Sequence, residues 1–227
     1  MTAPTVVTID GPAGVGKTTV GRMLAEELDL PFVDTGIFYR ALAVAAAAAH
    51  VGPEDPQHLA ELATGFRVEV NTDPRGGDWR ARVDGRSLDL ELWDPRLATL
   101  LARIASLGPV RAALLARQQE AGARGAVAVG RDTGTVVFPE AVCKFYLDAP
   151  PAVRLQRRRA ELASRGVDTP DELLLEEVVG RDRRDCTREY SPLAVAEGAI
   201  RVETGDISAA EVVAELRADC MRRLRTA

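Results

Sequence analysis

Aromatic residues are scarce in this chain: two Trp, three Tyr and five Phe among 227 residues. So are histidine (two) and cysteine (three). Cys143, Cys186 and Cys220 are odd in number and widely spaced, which excludes a disulfide framework and a cysteine-based metal site and reads as reduced thiols. His50 and His58 match no catalytic pattern and read as surface or loop residues. No apolar run is long enough to cross a membrane, and the alanine-rich Ala41 to Ala49 reads as a helix. No basic-then-apolar stretch precedes Val6, so the expected location is cytoplasmic. There is no excess of positive charge either: the net charge is -5, which disfavours nucleic acid or an anionic membrane as partner.

What is present is an alternation. Hydrophobic residues make up 46%, enough for one α/β domain spanning 1–227. Val6 to Asp10, Leu30 to Asp34, Ala126 to Val129, Lys144 to Leu147 and Ala199 to Glu203 read as five buried parallel strands. Helices are expected from Thr18 to Leu28, after Thr35, over Leu97 to Leu107 and Val110 to Gln119 with Gly108-Pro109 between them, over Arg154 to Arg165 and Glu172 to Arg188, and over Ser208 to Leu224. Strands alternating with helices predict a three-layer sandwich about a mostly parallel sheet. Between residues 65 and 92 the pattern changes. Phe66 to Asn71, Asp78 to Asp84 and Ser87 to Leu92 alternate apolar and polar residues around turn signals, predicting a small antiparallel module. Residues 152–190 form a second insertion, helical and rich in arginine.

The stretch IDGPAGVGKTT satisfies G-x-x-x-x-G-K-[ST] through Gly11, Gly16, Lys17 and Thr18. Glycine permits a loop whose backbone N–H groups converge on one anion, and the following helix adds its positive end. Lys17 is expected to reach the β- and γ-phosphates of a nucleoside triphosphate, and the Thr18 hydroxyl to ligate Mg²⁺. Ala13, Gly14, Val15 and Thr19 complete the stretch around ATP. A switch GTPase needs a guanine-reading N-K-x-D, which is missing, and a motor ATPase is usually longer. Arginines point to a second anionic ligand. Arg40 follows D-T-G-I-F-Y. Arg111 lies on an expected helix. Arg131 and Asp132 end a strand at the edge where α/β folds bind ligands. Arg181, Asp185 and Arg188 are spaced to share a helix face, as are Arg154, Arg157 and Arg158. Phosphoryl transfer needs positioning and charge neutralisation, which arginine supplies.

IDGPAGVGKTT, FVDTGIFYRALA, PVRAALLARQQ, GRDTGTVVFPEA, RDRRDCTREYSPL and ISAAEVV, in this order along nearly the whole chain, resemble the bacterial-type cytidylate kinases, a family of P-loop nucleoside monophosphate kinases. G-R-D-T-G-T-V-V-F-P is far more specific than the loop alone. The resemblance implies a parallel-sheet core, a β-rich acceptor-side insert at 65–92 and a lid at 152–190. It implies transfer of the ATP γ-phosphate to CMP or dCMP with Mg²⁺, by a monomer. Lys17, Arg131, Arg181 and Arg188 would be catalytic. Arg40, Arg131 and Arg188 would hold the acceptor phosphate. Thr35 would belong to the substrate site, with Tyr39 on the sugar and Arg181 and Asp185 on the ribose. Arg111 and Asp132 would read the cytosine edge, and Arg157 would belong to the ATP side. An Asp accepts from the cytosine amine and an Arg donates to its acceptors, whereas uracil would set O4 against the Asp.

Three positions depart from the family's pattern. Ala102 replaces a serine expected to hydrogen-bond the base, Val129 a carboxylate expected near the phosphates, and Trp93 an arginine of the acceptor-side insert. They leave open a paralogue acting on a modified cytidylate or another small phosphorylated or phosphonate metabolite. A nucleotide-binding protein without turnover is the third reading.

Overall fold

A computed structural model describes residues 4–65, 68–70, 72–74, 81–88, 91–164 and 170–225. Five strands, β1 (Val6–Asp10), β2 (Phe32–Asp34), β6 (Ala126–Gly130), β7 (Cys143–Asp148) and β8 (Ile200–Glu203), form one sheet in the order β2-β6-β1-β7-β8. Every pairing in it is parallel, as the β-branched runs between helices require. A second sheet is antiparallel: β3 (Val68–Val70), β4 (Ala81–Val83) and β5 (Arg86–Ser87).

Helices cover the parallel sheet on both faces. On one face α1 (Lys17–Leu28) packs beside α9 (Ala209–Leu224). Val20 and Leu24 of α1 and Val212 and Leu216 of α9 meet Val7, Ile9, Val127, Val129, Phe145 and Leu147 of the strands. On the other face lie α2 (Gly36–Ala48), α3 (Pro56–Gly65), α4 (Ala98–Ile104) and α5 (Gly108–Ala121). Phe38 and Leu42, Leu59, Ile104 and Leu114 close over Val33, Ala126 and Ala128. The period-2 geometry of a strand explains the division within β6: the valines at 127 and 129 point to one face and the alanines at 126 and 128 to the other. Each large apolar side chain so buried contributes about 1.5–3 kcal/mol.

Several expected elements take a different form. Gly108 and Pro109 are the first turn of α5, not a break before it; Pro suits that place because its missing N–H has no partner there anyway. The third antiparallel strand is only Arg86–Ser87, and Glu91–Trp93 is a tight 3₁₀ turn. Residues 66, 67, 71, 78–80, 89 and 90 of the expected meander lie outside the described residues, as does Arg165. The expected helix over 172–188 is present from Asp171 to Thr187, with helical backbone at both junctions: α7 (Asp171–Leu175) widens into a π-type stretch over Glu176–Gly180 and runs on as α8 (Arg181–Thr187). Before them, α6 spans Pro151–Ser164. The helix α3 had no counterpart in the sequence reading. Its only fully buried side chains are Leu59 and Ala63, too thin a stripe to give a periodic signal.

Candidate functional site

The loop between β1 and α1 leaves the C-terminal edge of the sheet beside the ends of β2, β6 and β7. Gly16 caps α1 with φ 92°, a left-handed conformation in which a Cβ is strained. At Gly11 (φ 150°) a Cβ would lie 2.2 Å from the carbonyl oxygen of Leu147, so only glycine lets the loop start this close to β7. Val15 is buried and its carbonyl accepts from the Thr204 hydroxyl at 3.1 Å; its side chain is core, leaving the backbone for any ligand. Gly14 and Thr19 are exposed at the rim.

Lys17 is buried. Its ammonium donates to the carbonyls of Gly11 at 2.7 Å and Pro12 at 2.6 Å. Burial first, then the nearby Arg131 and Arg181, hold its pKa well below the ordinary lysine value, while Asp34 and Asp10 pull it back up. The Thr18 hydroxyl donates to Asp34 Oδ2 at 3.4 Å. A hydroxyl beside a carboxylate is a hard-oxygen donor set, which fits Mg²⁺ held mainly through phosphates and waters. Among the described residues no cluster of three or more His, Cys, Asp or Glu makes an all-protein metal site.

Across the cleft, one carboxylate holds two arginines. Asp132 Oδ2 accepts from Arg111 Nη2 at 2.5 Å, and its Oδ1 is 3.8 Å from Arg188 Nη2. All three side chains are no more than 8% exposed. Arg111 Nη1 is fixed on the Ala105 carbonyl at 2.8 Å, and the guanidinium sits 5.1 Å from the centre of the Tyr39 ring. Arg111 Nε and Arg188 Nη2 are buried without a hydrogen-bond partner. Such groups are costly to leave unmade. Burial, with Arg111 close by, lowers the Arg188 pKa.

A second carboxylate gathers three cations. Asp185 Oδ2 accepts from Arg131 Nε at 3.0 Å and lies 3.8 Å from Arg181 Nε; Oδ1 is 3.5 Å from Arg188 Nη1. Burial raises the Asp185 pKa, but Arg131, Arg181 and Arg188 outweigh it and hold the carboxyl below its ordinary value. Arg188 caps α8, its N–H still donating to the Arg184 carbonyl at 3.0 Å before the chain turns away at ψ 146°, so Arg181, Asp185 and Arg188 meet on one helix face as their spacing suggests. Arg188 Nε is fixed by donating to the Ser191 carbonyl at 2.6 Å.

The remaining expected site residues have partners of their own. Arg40 points to the 3₁₀ turn, donating to the Leu92 carbonyl at 3.0 Å with its guanidinium 4.2 Å from the Trp93 ring centre. The Thr35 hydroxyl donates to the Val129 carbonyl at 3.0 Å, stapling β2 to β6. Arg157 donates to the Thr204 hydroxyl and carbonyl, on the β8 side of the loop. Of the three departures, Trp93 is the one with a described partner in the site, Arg40. Val129 packs in the core, its Cγ1 2.5 Å from where a Cβ on Gly21 would be. Ala102 is exposed on α4.

Two carboxylates that close strands, Asp10 and Asp34, also belong to the site without a sequence motif of their own. Asp10, the last residue of β1, accepts from Thr133 N at 2.9 Å, Thr133 Oγ1 at 2.7 Å and Gly134 N at 2.7 Å. Burial raises its pKa against those hydrogen bonds. It pins the π-type turn Thr133–Val137 that follows Arg131 and Asp132. Asp34, at the end of β2, holds Thr18 and the N–H of Gly36. The one signal for both is position: a carboxylate closing a buried parallel strand.

A phosphate-type loop between β1 and α1, at the C-terminal edge of a parallel sheet, defines a P-loop α/β protein. Residues 7–222 match the cytidylate kinase family, and the chain belongs to that family. It is 37% identical over 220 residues to the cytidylate kinase of Geobacter sp. (strain M21), covering 96% of this chain and 94% of that protein. It is 39% identical over 218 residues to a bifunctional pantoate ligase/cytidylate kinase of Prochlorococcus marinus (strain MIT 9303), covering 95% of this chain. The chain spans only 44% of the length of that bifunctional relative. Among solved structures, it is similar to a shikimate kinase from Bacteroides thetaiotaomicron at 12% identity and a TM-score of 0.48, covering 97% of this chain and 98% of that one. No single helix among the described residues is long and apolar enough to cross a membrane.

Proposed function

We propose that the chain transfers the γ-phosphoryl group of ATP to the phosphate of CMP or dCMP, giving ADP and CDP or dCDP. The observation that carries this is the pair Arg111–Asp132: a buried donor–acceptor edge with an unpartnered Nε, next to Tyr39 and Arg188. Cytosine matches that edge, with its amine toward the carboxylate and its O2 and N3 toward the guanidinium. Uracil sets a carbonyl against the carboxylate, leaving a buried acceptor unpaired, which a polar site rejects strongly.

In this reading the loop from Gly11 to Thr18 cradles the ATP phosphates. Lys17 exchanges its two carbonyl partners for phosphate oxygens, and the added negative charge restores its proton affinity. Thr18 and Asp34 are the residues that would hold Mg²⁺ beside the phosphates. When bound, the ion neutralises phosphate charge and orients the transferring group. Arg157 and Thr204 border the nucleoside side of ATP. Arg131, Arg181 and Arg188, organised by Asp185, surround the acceptor phosphate and the equatorial oxygens of the group in transit. The acceptor is itself a phosphate monoester with a second pKa of about 6, so it is already a dianion at neutral pH and needs no general base. Catalysis is then positioning and charge neutralisation. Arg40, on α2 and steadied on Trp93, reaches the acceptor phosphate. Residues 152–190 act as a lid that excludes water and suppresses ATP hydrolysis.

The test is ADP release by the purified chain with ATP, Mg²⁺ and each of CMP, dCMP, UMP and AMP. Turnover on CMP and dCMP well above UMP and AMP is expected. Turnover only on another acceptor, or tight ATP binding with none, would refute the reading.

A further inference from the structure

One acidic group of the arginine-rich helices has no part in the scheme above. Asp182 stands in the first turn of α8 with its side chain 14% exposed. Its Oδ1 accepts from the backbone N–H of Ala13, in the phosphate loop, at 2.9 Å. Its Oδ2 is gripped by Arg154 Nη1. Arg154 is itself buried and fixed, with Nη1 also on the Ala13 carbonyl at 3.0 Å and Nε on the Ala149 carbonyl at 3.0 Å. A carboxylate 169 residues away in sequence thus occupies a main-chain N–H of the loop, backed by a guanidinium. A backbone donor with a cation behind it is what a phosphate-binding loop offers a phosphate.

We infer that Asp182 is an internal ligand of the loop, an acidic side chain that takes a phosphate's place until ATP displaces it. The inference rests on the proposed ATP site and deepens it. One N–H cannot serve two anions fully, and two anions crowded on one loop repel. ATP, with several negative charges, displaces a single carboxylate; weakly charged anions do not. The apparent affinity for ATP is therefore reduced by the fraction of molecules in which Asp182 is seated. Because Asp182, Arg181 and Asp185 share α8, its release also frees the helix that carries part of the arginine cluster. Occupancy of the loop and the position of the lid are then one equilibrium. A carboxylate serving only as a staple would behave in the opposite sense: neutralising it would loosen Arg154 and the loop together, and ATP would bind less well.

The experiment is calorimetric titration of ATP with Mg²⁺, without acceptor, into the wild-type chain, Asp182→Asn and Asp182→Ala, with folding checked by circular dichroism. Loss of a charge-assisted competitor is expected to tighten ATP binding about tenfold in both variants. In nucleotide-free protein, the amide proton of Ala13 is expected to move upfield in both, read by nitrogen–proton NMR. Unchanged or weaker ATP binding by folded variants would overturn the inference while leaving the ATP site intact. A wild-type chain that binds no ATP would overturn the nucleotide reading, and the internal ligand with it.

Discussion

Lys17 sits between two carbonyls of its own loop, a buried cation whose charge is poorly repaid until phosphate arrives. Lys17→Ala is therefore expected to fold and to lose about a hundredfold or more in kcat; a folded variant with wild-type kcat would remove the loop from the mechanism. In the proposed function Asp132 bears on the acceptor instead. It is shared by Arg111 and Arg188, so Asp132→Asn is expected to cost about 1–3 kcal/mol in kcat/KM for CMP. ATP affinity should remain nearly unchanged, and an equal loss for both substrates would make Asp132 a scaffold residue. Residues of this kind were legible because their neighbours in sequence carry the pattern: Gly11 to Thr18 is a contiguous motif, and Arg131-Asp132 closes a strand. Asp10 and Asp182 were not. Their backbone partners, Thr133 and Gly134 for Asp10 and Ala13 for Asp182, are more than a hundred positions away, and a lone carboxylate on a strand end or in a charged helix looks like ordinary solvated polarity. Arg40 illustrates the limit from the other side: its side-chain direction depends on a 3₁₀ turn at Glu91–Trp93 that alternation had suggested was strand.

At the scale of elements, the parallel strands were legible, and so was the helix over 172–188, but not the π-type stretch inside it. Five β-branched or apolar runs between helical segments leave little alternative to a covered sheet, though nothing local encodes the order β2-β6-β1-β7-β8. The stretch from Glu172 to Arg188 has unbroken helical composition. Its anchorage comes from tertiary partners: the Asp185 carboxylate draws Arg131, Arg181 and Arg188 together, and the Asp185 carbonyl accepts from Leu193 N at 2.8 Å. That attachment has a pH signature. The folded Asp185 pKa lies below the ordinary aspartate value of about 3.9. Between the two values the unfolded chain binds more protons than the folded one. The stabilisation is thus complete above the ordinary value and lost as pH falls through the depressed one. Asp185→Asn is expected to lower the urea midpoint at neutral pH, with the gap to wild type narrowing as the pH drops through that window. A gap independent of pH would mean that charge at Asp185 does not hold α8 in place.

For the molecule as a whole, the fold gathers at one edge of a sheet a loop with Lys17 and arginines ordered by Asp132 and Asp185; the proposed function makes these two anion sites. Neither site alone distinguishes a kinase from a hydrolase. Transfer depends on both being filled while water is kept out, a property of the sheet, the β-rich module and the arginine-rich helices acting together. The central claim is therefore the fate of the γ-phosphoryl group, which phosphorus NMR follows directly in a mixture of the chain, ATP, Mg²⁺ and CMP. The account predicts that the γ signal of ATP disappears as the paired α and β signals of CDP and ADP grow in equal amounts, with little inorganic phosphate. ATP that goes to ADP and inorganic phosphate while CMP stays unchanged, or ATP that does not react at all, would contradict it.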